Sequence, residues 1–140
     1  MSGLRTIARF LLMRHHRSKT PTGILPLSEL HSAVIMCDPK DPCPEKDIKR
    51  FFEPYGISYS IISEFDRDIR TGSDIFISLT GETSISERYA AMSSTARFKV
   101  GRRQIKRDVY DLVVYNPAPE SFNGETLAFC AICEMLKKIS

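Results

Sequence analysis

The chain has 140 residues, 42% of them hydrophobic and 26% charged, with a formal net charge of +3. That size and balance describe one globular domain that needs no disulfide or metal to hold a core, and exclude a disordered or low-complexity chain. Apolar runs fall far short of a membrane span, and the start lacks the long apolar core of a signal peptide, so a cytoplasmic protein with reduced thiols is expected.

Leu4, Ile7, Ala8, Leu11 and Leu12 recur at i, i+3, i+4, i+7 and i+8, the stripe of an amphipathic helix. Arg5, Arg9, Arg14, Arg17 and Lys19 surround it with no acid, leaving the rest of the chain at fifteen basic against seventeen acidic residues. Residues 1–20 are thus predicted to be a basic helical appendage, and residues 21–140 a single α/β domain. Phe10 and Met13 lie outside the stripe, which gives this helix more apolar surface than one contact uses. Leu4, Ile7, Phe10, Leu11 and Met13 are therefore the expected contact surface for a second copy or another protein. With no Trp in the chain, a membrane-surface role is not favoured. His15 and His16 point about a hundred degrees apart on a helix, so a shared ligand is not expected.

Ser32 to Cys37 is predicted as the first strand, ended by the proline-containing segment from Asp38 to Pro44. A helix follows from Pro44, with Glu45 and Asp47 in its first turn, Ile48, Phe51, Phe52 and Tyr55 as its buried stripe, and Gly56 as its stop. Ile57 to Ser63 is the second strand. The link from Glu64 to Ser73 is short for a parallel crossover, so the direction of the next strand stays open. Asp74 to Leu79 and Asp111 to Tyr115 both open on an acid and run through apolar residues, as strands buried on both faces do. Between them, Ser84 to Ser94 reads as a helix with a capping box of Ser84 and Glu87. In the strand Arg97 to Gly101, Phe98 and Val100 alternate with Arg97 and Lys99, which predicts one wet face and a place toward the sheet edge. The last helix, Glu125 to Ile139, presents Phe129, Ile132, Cys133, Leu136 and Ile139 to the core. Together these elements predict a three-layer, Rossmann-like open sheet of about five mostly parallel strands.

The segment Ser94 to Gly101, placed between Asp74–Leu79 and Tyr110–Val114, resembles a family of small Bacteroidetes-type proteins with a Phe-Lys-Val-Gly strand, here Phe98-Lys99-Val100-Gly101. Members of that domain family of unknown function look like a basic N-terminal helix followed by an α/β body. The resemblance implies a fold and no mechanism, and the link from Glu64 to Ser73 is shorter than the family pattern. A fainter resemblance is to the acceptor-side half of lipopolysaccharide heptosyltransferases. Those enzymes close two such halves around a nucleotide sugar, and this length supplies one.

One corner of the predicted sheet suits an anion. Thr80, Gly81, Thr83 and Ser84 lead from a strand into a helix N-terminus, where backbone donors and the helix dipole favour negative charge. Arg102 and Arg103 leave the neighbouring strand at Gly101, in the same direction if the strands are parallel. A phosphate-bearing ligand, nucleotide or sugar phosphate, fits those residues, although Glu82 opposes it and an ordinary capped turn has the same composition. No dinucleotide or Walker pattern is present, and no cofactor is expected.

The other chemistry-bearing residues point to bland roles. Cys37 and Cys43 are too far apart in sequence for a zinc knuckle, and Cys130 and Cys133 fall on or beside the apolar stripe of the last helix, so no metal is expected. Glu64, Asp66 and Asp68 lack a companion nucleophile or His. His31 reads as a turn residue. The basic run Arg97, Lys99, Arg102, Arg103, Lys106 and Arg107 holds one aromatic, Phe98, which is too few for a nucleic-acid stacking surface. With no catalytic constellation, the sequence favours a non-enzymatic protein acting through protein–protein contact. The alternative is a binding module or enzyme fragment for the phosphate-bearing ligand.

Overall fold

The computed structural model describes residues 23–37, 43–63, 73–80, 85–102, 109–114 and 124–139. The appendage predicted for residues 1–20 lies outside them. β1 (Ser32–Met36), β2 (Ser58–Ile62), β3 (Ile75–Ser78), β4 (Phe98–Gly101) and β5 (Leu112–Val113) form one sheet in the order β2-β1-β3-β4-β5. Every pairing is parallel. The helices are α1 (Glu45–Phe52), α2 (Ile85–Ser93) and α3 (Gly124–Ile139). The layered α/β class read from the sequence is what the chain adopts.

Alternation along the strands sorts the apolar side chains onto two faces. Ala33, Ile35, Ile75, Ile77, Phe98 and Val100 pack with α1 and α3, and Met36 and Phe76 pack with α2. Phe129 of α3 meets Phe51 and Phe52 of α1 edge-on, with ring centroids 6.1 and 6.0 Å away, so one side chain joins two helices to each other. Burial of a ring of this size contributes about 1.5–3 kcal/mol before the aromatic geometry is counted.

One open question closes and three expectations change. β2 and β3 lie on opposite sides of β1, so the link between them is a parallel crossover of residues 63–74, of which 64–72 lie outside the described residues. That length just meets what such a crossover requires. β4 stands next to the edge strand, as expected, but has no wet face: all four of its residues are buried, Lys99 included. Both of its neighbours are strands, so an alternating pattern here marks two covered faces, one of which accommodates a long cationic side chain. β5 is the edge strand on that side, two residues long, and its Val113 is exposed, while Leu112 packs against the core and Val114 after it is buried. Tyr55 is also exposed. Pro54 cannot donate to the helical ladder, so α1 ends at Phe52 and tightens into a 3-10 turn, Glu53–Tyr55, that carries Tyr55 off the buried stripe.

Candidate functional site at the carboxyl edge of the sheet

The strand order places the reversal of chain progression between β1 and β3. In open parallel sheets, ligands bind outside the carboxyl ends of the strands at such a reversal. Connections on that side are long: residues 37–44, 79–84, 102–111 and 114–123 follow β1, β3, β4 and β5. On the opposite side, residues 56–57 and 94–97 suffice to enter β2 and β4. Short connections fix the scaffold, and the longer ones leave from the carboxyl ends of the strands.

β3 and β4 are parallel neighbours, so Thr80 and Arg102 leave the sheet at the same end, as the anion corner requires. Arg102 folds across to β3, where its Nη1 donates to the Leu79 carbonyl at 3.0 Å. Its guanidinium is thereby held beside the first residue of the turn that contains Thr80. Both Thr80 and Arg102 are buried. Gly81, Thr83, Ser84 and Arg103 lie outside the described residues.

Beneath that corner sits a polar network that the sequence reading did not find. Glu87 Oε1 accepts from Ser78 Oγ and from the Tyr110 hydroxyl, each at 2.8 Å, and Ser78 Oγ lies 3.1 Å from Thr80 Oγ1. Because the Ser78 hydroxyl donates to Glu87, the Thr80 hydroxyl is left to donate to Ser78. Burial, and then the negative charge of Glu87, raise the Tyr110 phenol well above its ordinary range, so it remains a donor. Tyr110 reaches Glu87 only because Gly101 has no side chain: a Cβ there would stand 2.5 Å from the ring. One signal for the network was available. Glu87, Ala90 and Ala91 are spaced i, i+3 and i+4, so the acid shares the face that small residues bury. Read as a capping residue, Glu87 also belongs with Ser84, which lies outside the described residues.

Among the described residues, Arg97, Lys99 and Arg102 of the basic run do not form a patch. Arg97 precedes β4 at the opposite end of the sheet, where its Nη2 pairs with Asp74 Oδ1 at 3.3 Å and donates to the Glu29 carbonyl. Lys99 and Arg102 are buried, and residues 103–108 lie outside the description. The two acids that open strands prove to be clamps on neighbouring strands. Asp74 Oδ2 accepts from the backbone of His31 and Ser32 at 2.6 and 3.3 Å, and Asp111 Oδ2 accepts from the backbone of Lys99 at 2.8 Å.

Cys37 and Cys43 come together after β1, with their sulfurs 2.7 Å apart. On α3, Cys133 is buried and Cys130 exposed. Among the described residues, no group of three His, Cys, Asp or Glu side chains is placed to hold a metal ion. His31 is exposed, while His15, His16, Glu64, Asp66 and Asp68 lie outside the described residues. A groove of about 270 Å³ lies between α1 and α3, lined by Asp47, Arg50, Phe51, Phe129, Glu134 and Lys137 among others. Among the described residues, no helix is long and apolar enough to cross a membrane.

No family model, no curated protein and no solved structure matches the chain. The resemblance read from Asp74 to Val114 therefore rests on those residues alone.

Proposed function

We propose that the protein is a binding module for a small phosphate-bearing ligand, held at the carboxyl edge between the turn after β3 and the start of the segment after β4. The observation that carries this reading is Arg102 Nη1 on the Leu79 carbonyl, which brings a cation to the β3 turn beside the β1/β3 reversal. In this reading Thr80, Gly81, Thr83 and Ser84 present hydroxyls and backbone donors to the phosphate, and Arg102 and Arg103 balance its charge. Thermal unfolding in the presence of nucleotides, sugar phosphates and inorganic phosphate tests it. A ligand at a hundredfold excess over its Kd stabilises by about 2.7 kcal/mol, which raises Tm by several degrees. The rise is expected to shrink in Arg102→Ala and to persist in part in Arg102→Lys. No shift with any of these compounds at millimolar concentration would sink the proposal.

Protein–protein contact, without catalysis, is a second reading with its own support. α3 turns Leu127 and Met135, two helical turns apart, to the outside at 50% and 37% exposure. Such a stripe, with the apolar surplus of Leu4, Ile7, Phe10, Leu11 and Met13, suits a contact with another copy or another protein. Light scattering on the full chain, on a form lacking residues 1–20, and on Leu127→Glu with Met135→Glu checks it. A monomer in all three cases speaks against self-association.

A further inference from the structure

β1 delivers Cys37 one residue beyond its last paired position, and Cys43 stands two residues before the start of α1. Both backbones are anchored. The Cys37 N–H donates to the Ile62 carbonyl at 2.8 Å, and the Cys43 carbonyl accepts from the Glu45 N–H at 2.8 Å. The sulfurs face each other at 2.7 Å, so closure to the roughly 2.05 Å of a disulfide needs only a short further approach of the two sulfurs. Packing alone accounts for one buried cysteine; it gives no reason for two sulfurs, brought from either side of a connection, to point at each other.

We propose that Cys37 and Cys43 form a reversible thiol–disulfide site at the carboxyl end of β1, oxidised by low-molecular-weight disulfides. This site is independent of the phosphate-ligand reading. Cys43 is the half-buried member and is reached first, while Cys37 is buried behind it. The Cys43 thiolate attacks one sulfur of the small disulfide, forming a mixed disulfide and releasing one small thiolate. The Cys37 thiolate then attacks the Cys43 sulfur, closing the protein disulfide and releasing the second. Two protons pass from the protein thiols to the two leaving thiolates, and the protein loses two electrons to the reagent. The electrostatics set the pace. Burial raises both thiols, and Glu125 adds to the effect on each. With Cys37 as donor, the sulfur–sulfur hydrogen bond lowers Cys43 and raises Cys37, which favours Cys43 as the attacking group. Oxidation is therefore slow at neutral pH and quickens about tenfold per pH unit without levelling off below pH 9, because the thiolate is the nucleophile.

The test is to incubate the full chain with oxidised glutathione from pH 7 to 9, quench in acid, alkylate under denaturing conditions and map the tryptic peptides. Trypsin cuts after Lys40, so the proposed bond joins residues 20–40 to residues 41–46. The expected result is that linked peptide in a monomer lighter by two hydrogens, reversed by dithiothreitol. Exposed Cys130 takes up glutathione as an internal control for reagent activity. Cys37→Ser is expected to stop at the mixed disulfide on Cys43, and Glu125→Gln to oxidise several-fold faster. Cys37 and Cys43 both remaining alkylatable while Cys130 is modified would overturn the proposal, as would links to Cys130 or Cys133 in place of the Cys37–Cys43 link. The peptide map of the unmutated chain decides the matter even if a variant does not fold.

Discussion

Gly101 and Tyr110 illustrate how much of this fold depends on single side chains meeting across the sheet. The Tyr110 ring lies where a Gly101 Cβ would go, and its hydroxyl is bonded to Glu87, so the ring cannot retreat without losing that bond. Gly101→Ala is expected to destabilise the protein by about 1–3 kcal/mol, measured by urea denaturation, because the core must shift to admit a methyl group. In the sequence Gly101 reads only as the end of a strand, since the ring that needs the space arrives from a later segment. Asp74 was legible as a strand opening, but its use as a clamp on His31 and Ser32, more than forty positions earlier, was not. Asp74→Ala leaves those backbone donors without their carboxylate and is expected to cost about 1–3 kcal/mol by the same measurement, with Asp74→Asn milder because it keeps one acceptor.

At the scale of elements, local chemistry reads well where an element ends on a residue that only one backbone conformation suits. Gly56, with φ of 69°, closes the turn after α1 and has open space around its missing Cβ. Gly56→Ala therefore isolates the backbone cost of the left-handed conformation, about 1–2 kcal/mol, and Gly56→Asn is expected to lie between the two in thermal unfolding. Pro54 ends α1 even though the apolar spacing of Ile48, Phe51, Phe52 and Tyr55 runs past it, because it cannot donate to the helix. The strands show the opposite limit. Periodicity located β4 and β5 but exchanged their environments. Lys99 looks like solvent exposure and is buried, while Val113 looks like core and is exposed on an edge strand. Whether a face is covered depends on what lies beyond the strand, which no window of neighbouring residues encodes.

For the molecule as a whole, the buried acids of its two faces make stability fall at alkaline pH. Burial pushes the Cys133 thiol up to about 12, and Cys37 and Tyr110 are also raised, burial being the first cause in each. Each such group binds its proton more tightly when folded. Its contribution is complete below the unfolded thiol value near 8.5, or about 10 for the phenol, and is lost as pH rises toward the folded value. The denaturation midpoint is thus expected to decline between pH 8.5 and 10.5, and Cys133→Ala to flatten part of that decline. The sequence by itself determined the layered α/β class, since alternating and helical periodicities record which faces must be apolar over short spans. It also singled out Thr80 and Arg102, without showing that Arg102 reaches the β3 turn. Only the tertiary structure decided the order of strands, which strand stands at the edge, the Ser78–Glu87–Tyr110 network and the meeting of Cys37 with Cys43. Those features arise from pairings between segments distant along the chain. Their free energies depend on shape, desolvation and hydrogen-bond partners that exist only once the layers have closed.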